Sequence, residues 1–135
     1  MLNILRILII DSDQKKSDEL INTLSEWHVI TKHASSAREA VALSKKLSFD
    51  VALMELSLPD KKGYEIIPDL KLYNPGIHIM TMTENNSPTL ETKVRQCGVS
   101  FYFGKPVPLD QLREILNHLD RSKANIKNCQ QIFNF

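Results

Sequence analysis

Two cysteines, Cys97 and Cys129, are all the chain carries. Neither belongs to a CxxC pair or a Cys/His cluster, which argues against a structural zinc site. Nothing points to secretion, so both read as reduced thiols of a cytoplasmic protein. An excess of one charge is also missing: 17 basic residues stand against 16 acidic ones, for a formal net charge of +1. Lys15-Lys16, Lys45-Lys46 and Lys61-Lys62 are isolated pairs, not a basic arm. The balance gives no pull toward nucleic acid or membrane surfaces. No apolar run approaches the ~18–20 residues of a membrane-spanning helix. The apolar start, Met1 to Ile10, is short, holds Arg6 and runs into acids, so it reads as a strand and not as a signal peptide. What is present is 42% hydrophobic residues in 135, enough for one globular domain with a single core.

The hydrophobic period switches along the chain between that of a strand and that of a helix. Ile7 to Ile10 is a strand run, and Gln14 to Trp27 places Leu20, Ile21, Leu24 and Trp27 at helical spacing. Val29-Ile30-Thr31, followed by Lys32 and His33, suits a half-exposed edge strand. Ser35-Ser36 can cap a helix with Ala37, Ala40, Val41 and Leu43 to Leu47 as its stripe. Val51 to Met54 is apolar on both faces, as a buried parallel strand is. Leu58 to Gly63 is a loop, and Tyr64 to Tyr73 is helical, with Pro68 either in its first turn or kinking it. Ile77 to Met82 is a fourth strand. Ser87-Pro88 opens a helix that runs through Cys97 to Gly98. Phe101 to Phe103 is a fifth strand, and Leu109 to Leu119 is a last amphipathic helix. Five βα units with short links predict an α/β fold, a five-stranded parallel sheet with helices on both faces. The polar second strand places it at the edge of the order 2-1-3-4-5, a flavodoxin-like arrangement. Residues 1–120 form this domain. Residues 121–135 lack a clear period and read as a C-terminal tail or linker, whose Ile132, Phe133 and Phe135 either dock on the body or lead to something further.

Four of the strand runs end on polar residues of the kind a phosphoryl site uses. The first meets Asp11-Ser12-Asp13, the third Glu55, the fourth Thr83, and the fifth Lys105-Pro106. Parallel strands bring these ends to one edge of the sheet, where open α/β sheets bind ligands. The Asp11/Asp13 pair has a plainer reading as the cap of the first helix.

These ends, in this order and at βα spacing, resemble the receiver domain of two-component response regulators over roughly Leu5 to Leu119. The resemblance rests on Ile10-Asp11-Ser12-Asp13, on Met54-Glu55-Leu56-Ser57-Leu58-Pro59 with Gly63, on Met82-Thr83, and on Tyr102 with Lys105-Pro106. It implies an acidic pocket at Asp11, Ser12 and Asp13 and a phosphoacceptor position at Glu55. It implies a switch hydroxyl at Thr83, a switch aromatic at Tyr102 and a phosphate-binding ammonium at Lys105. It also implies a Mg²⁺ site drawn from Asp11, Asp13, Glu55 and the Ser57 carbonyl. The chain departs from the family at the centre of that site. Glu55 stands where the acceptor aspartate belongs, and its extra methylene displaces the carboxylate. A shift of about 1 Å can cost roughly a hundredfold in a positioned reaction. Ser12 replaces an acid beside the metal, and Glu84 follows Thr83 where a small residue is usual.

The expectation is a non-enzymatic protein-interaction module of phosphorelay signalling, a degenerate receiver that acts without phosphorylation. Glu55 would pair with Lys105 and partly imitate an acyl phosphate. No cofactor is expected beyond Mg²⁺, whose binding is weakened. The alternative is a working phosphoacceptor with Mg²⁺-dependent transfer from a histidine kinase. A third reading, the N-terminal part of a DNA-binding or enzymatic regulator, turns on chain beyond these residues. The resemblance places partner contacts, with a histidine kinase or a downstream effector, on the fourth helix, fifth strand and fifth helix. Lys93, Arg95, Arg113 and Glu114 lie there, and a homodimer is possible. His28, His33, His78 and His118 read as surface or packing residues, and Cys97 as a buried small side chain.

Overall fold

The computed structural model describes residues 4–128, with side chains described through Asp120. Its elements alternate: β1 (Arg6–Ile10), α1 (Gln14–Ser25), β2 (Ile30–Ala34), α2 (Ala37–Lys46), β3 (Val51–Glu55), a 3₁₀ turn (Gly63–Ile66), α3 (Ile67–Tyr73), β4 (His78–Thr83), α4 (Pro88–Gln96), β5 (Phe101–Gly104) and α5 (Leu109–Asn128). All pairings are parallel, in the order β2-β1-β3-β4-β5. This is the fold and strand order expected from the sequence.

Side chains alternate across a strand, and here the alternation divides the core in two. Leu8, Ile10, Ala52, Met54 and Ile79 pack with α2 and α3 on one face. Ile7, Ile9, Val51, Leu53, Met80, Met82 and Phe103 pack with Leu24 of α1 and with Leu112 and Leu116 of α5 on the other. Every residue of β3 is buried. β2, at the edge, alternates exposed and half-buried residues until Ala34.

Four local expectations are corrected. α1 stops at Ser25, with Glu26 as its C-cap, so Trp27 lies beyond the helix. His28 beside it takes a left-handed φ of 58° and turns the chain toward β2. Tyr64 to Tyr73 is not one helix: a 3₁₀ turn precedes α3, and Pro68 falls in the first turn of α3, where the missing N–H costs nothing. α5 runs past the helix end expected at Leu119, to Asn128. Residues 121–128 carry no proline or glycine, so helix can continue there without an apolar stripe. Cys97, expected to be buried, is instead half-buried as the C-cap of α4, with its thiol on the Lys93 carbonyl at 3.4 Å. Cys129, Ile132, Phe133 and Phe135 lie outside the described residues. Among the described residues, no helix is long and apolar enough to cross a membrane.

Candidate functional site

Three of the strand-end residues share one face because the two-residue period continues past the strands. Asp11 follows Ile7 and Ile9, Glu55 follows Val51 and Leu53, and Lys105 follows Phe103. Ile10 is in register with Met54, so Asp11 comes level with Glu55. Lys105 extends the sheet edge, donating its amide to the Thr83 carbonyl at 2.8 Å, and its peptide bond to Pro106 is cis.

The three side chains meet in a nearly enclosed cluster. The Lys105 Nζ donates to Asp11 Oδ2 at 2.6 Å and lies 3.5 Å from Glu55 Oε1. The lysine and aspartate side chains are only 9% and 6% exposed. The expected Glu55–Lys105 pair is therefore present, but the tighter partner is Asp11. Each carboxylate has a further fixed bond: Asp11 Oδ1 accepts the Asp13 amide at 3.0 Å, and Glu55 Oε2 accepts the Leu56 amide at 3.0 Å. Burial pushes the Glu55 carboxyl above its usual value, with the nearby Asp11 adding to it. Lys105 and the Leu56 amide pull the other way without offsetting the burial.

A second ion pair crosses the same region at the surface. Lys16, in the first turn of α1, reaches Glu84 Oε1, just after β4, at 2.6 Å. Because β3 lies between β1 and β4, a link from α1 to the end of β4 spans the end of β3 and thus Glu55. Glu84 holds its carboxyl below the usual range and Lys16 its ammonium above it, each through this bond. The sequence drew attention to Glu84 but not to its partner, because 68 residues separate the two.

The remaining predicted residues do not join the cluster. Ser12 and Asp13 are exposed, and the Asp13 carboxylate caps α1 through the Lys16 amide at 3.1 Å, the plainer of its two readings. Thr83 falls on the opposite alternation, with Ile79 and Thr81, and its hydroxyl accepts the Asn85 amide at 3.1 Å. Tyr102, in register with Thr81, is half-buried with an enclosed hydroxyl. Burial raises the phenol above its ordinary value, and the Glu91 carboxylate adds to it. Arg95 lies 6.0 Å from the Tyr102 ring centre. Ser57 is exposed and bridges to Lys62 in the β3–α3 loop.

The loop under Glu55 has no room for a side chain at Gly63. A Cβ there would stand 2.7 Å from the Glu55 carbonyl oxygen and 3.2 Å from Leu56 Cα. Two contacts escaped the sequence. His33 of β2 holds the Asp11 carbonyl through Nε2 at 2.8 Å. Asp60 caps α2 from the β3–α3 loop, accepting the Ala37 and Arg38 amides at 2.9 Å each. Neither partner is near in sequence, so no local motif signals it.

Mg²⁺ does not fit this donor set as it stands. The ion takes octahedral oxygens, usually one or two free carboxylates with water and phosphate. Asp11 and Glu55 share the Lys105 ammonium, Asp13 is a helix cap, and Ser12 is neutral. Among the described residues, no group of three acids, histidines or cysteines is gathered closely enough to hold a metal.

Comparison with known proteins agrees with the fold. The family description "Response regulator receiver domain" matches residues 7–117. The chain is 31% identical over 99 residues to the transcriptional regulatory protein CitT of Bacillus subtilis, covering 73% of this chain and 43% of that protein. It is 28% identical over 120 residues to a cyclic di-GMP phosphodiesterase of Thermotoga maritima, covering 87% of this chain and 32% of that one. The chain thus spans less than half the length of either relative. A CheY-like receiver domain protein from Methanospirillum hungatei superimposes with a TM-score of 0.82 at 28% identity, over 91% of this chain and 99% of that one.

Proposed function

This chain belongs to the response regulator receiver domain family, and from that premise we propose that it signals by protein contact without accepting phosphate at Glu55. Receiver domains interact with histidine kinases and effector domains, and these are its partner classes. The observation that carries the reading is the cluster of Asp11, Glu55 and Lys105. An ammonium already sits between the carboxylates that a metal and a phosphoryl group would have to engage. Phosphoryl transfer depends on positioning and charge neutralisation. Here the neutralising charge is internal, the acceptor is one methylene too long, and the second acid is Ser12.

The same cluster argues against a fully activated state. A carboxylate carries one negative charge and two oxygens, and a phosphoryl group has more of both. The Lys105–Glu55 contact, at 3.5 Å, is also the looser of the two. The domain is therefore held in one state, and its output is set by which partner binds it.

On the proposed contact face of α4, β5 and α5 stands Arg95, against Tyr102, whereas the Lys93 ammonium lies over Tyr64 of the 3₁₀ turn before α3. Arg113 faces the other way, with its guanidinium 5.6 Å from the Trp27 ring centre, so it is left out of the proposed surface. The domain proper comprises residues 1–120, and the helical extension beyond it leads toward a partner or effector.

The test is incubation with acetyl phosphate and Mg²⁺, followed by intact-mass measurement. No stable gain is expected. A species heavier by about 80 Da, the mass of a phosphoryl group, that disappears in Glu55→Gln would establish the phosphoacceptor reading instead.

A further inference from the structure

An open cleft of about 550 Å³ lies between α1 and the turn that leads into α5. It is on the sheet face that carries Asp11 and Lys105, and both line it. Its volume falls in the range of roughly 300–1,000 Å³ usual for small-molecule sites. Leu20 of α1, Met82 of β4, Val107 of the turn into α5 and Leu109 at the start of α5 give it an apolar body.

Ser17 lines this cleft and is 1% exposed, and its hydroxyl has no hydrogen-bond partner. A helical serine ordinarily bonds the carbonyl four residues back. Here the Asp13 carbonyl takes only the Ser17 amide, at 3.0 Å. Buried hydroxyls without partners are uncommon and costly. Ser44, Thr81 and Tyr102 also leave hydroxyls unpartnered, but none of the three lines the cleft.

The charges on the rim choose the ligand's sign. Three carboxylates, Asp11, Glu19 and Glu84, stand against two ammonium groups, Lys16 and Lys105. Both ammonium groups are already bonded at 2.6 Å, to Glu84 and Asp11 respectively. Glu19 is left as the carboxylate free to take a cation. An anion would meet an excess of negative charge and no free partner.

We propose that this cleft binds a small amphipathic amine that also carries a hydroxyl. Its apolar body lies on Leu20, Met82 and Val107, its ammonium faces Glu19, and its hydroxyl bonds Ser17. Such a ligand would sit against both ion pairs that span the end of β3, and so would give the domain an input other than phosphate. The binding site itself stands whether or not Glu55 accepts phosphate.

Tyramine is the probe, titrated into the isotopically labelled full chain and followed by amide chemical shifts. Saturable shifts are expected at Ser17, Leu20 and Val107. Phenethylamine, without the hydroxyl, should bind about fivefold more weakly, the worth of one hydrogen bond. The anion 3-(4-hydroxyphenyl)propanoate should not bind. Ser17→Ala should bring tyramine down to the affinity of phenethylamine, and Glu19→Gln should weaken both amines roughly two- to fivefold. The proposal is overturned if tyramine gives no saturable shifts, if the anion binds as well, or if neither substitution changes the affinity.

Discussion

Two ion pairs of the same length span the end of β3, and they differ in almost everything else. Lys105–Asp11 and Lys16–Glu84 both measure 2.6 Å. The first is 9% and 6% exposed, the second 53% and 53%. Distance alone would rank them equal. In the buried cluster, desolvation of each charge must be met by the partner and by the added bonds from the Asp13 and Leu56 amides. At the surface, water and salt screen the link, and holding two long side chains together costs entropy. The buried pair therefore governs the state of the site, and the exposed pair governs access to it at most.

The largest effect should come from taking the cation out of the buried cluster. Lys105→Ala leaves Asp11 and Glu55 facing each other without it, and a buried pair broken on one side costs about 3 kcal/mol. Urea unfolding at neutral pH measures this, and adding Glu55→Gln to the variant should recover part of the loss. A loss no larger than that of Lys16→Ala would remove the distinction between the two pairs. Next in size is the floor beneath Glu55. Gly63→Ala puts a Cβ against backbone, which cannot move as a flexible side chain can. The expected cost is about 2 kcal/mol, read by the same unfolding experiment.

The buried cluster was largely legible in the sequence, and the exposed link was not. Asp11, Glu55 and Lys105 each end an apolar run whose period fixes the face, so the parallel sheet brings them together. What sequence could not rank was Asp11 over Glu55 as the partner of Lys105. That depends on side-chain reach, which the strand period does not fix. Lys16 lies on a helix and Glu84 in a loop, and neither position carries a pattern that selects the other. The same holds for His33 on the Asp11 carbonyl and for Asp60 on the end of α2. The helical run of residues 121–128 was missed because amphipathic period was the signal used, and helix that has no core to face need not show one.

Glu55 sharpens the comparison through pH. Its folded carboxyl binds a proton more tightly than the unfolded one, mainly because it is buried. Its contribution to stability is therefore complete below the ordinary glutamate range and is lost as pH rises through the higher folded value. Glu55→Gln has no charge to bury, so its stability relative to the parent should improve as pH rises from about 4 through the higher folded value of Glu55, and then level off. Unfolding midpoints across that range test the sign. A parent that gains stability over the variant as pH rises would mean that Lys105 more than offsets the burial.

The smallest expected effect concerns the exposed pair. Glu84→Ala should leave the unfolding midpoint unchanged, since both partners are open to water. Any consequence should be kinetic and should show only where the site can react. In the double variant Ser12→Asp, Glu55→Asp, which supplies the missing acid and shortens the acceptor, acetyl phosphate with Mg²⁺ should give the heavier species by intact mass. Adding Glu84→Ala to that background removes the link that spans β3, and uptake should be faster. Equal rates with and without Glu84 would mean that the Lys16–Glu84 link opens too readily to control the end of β3.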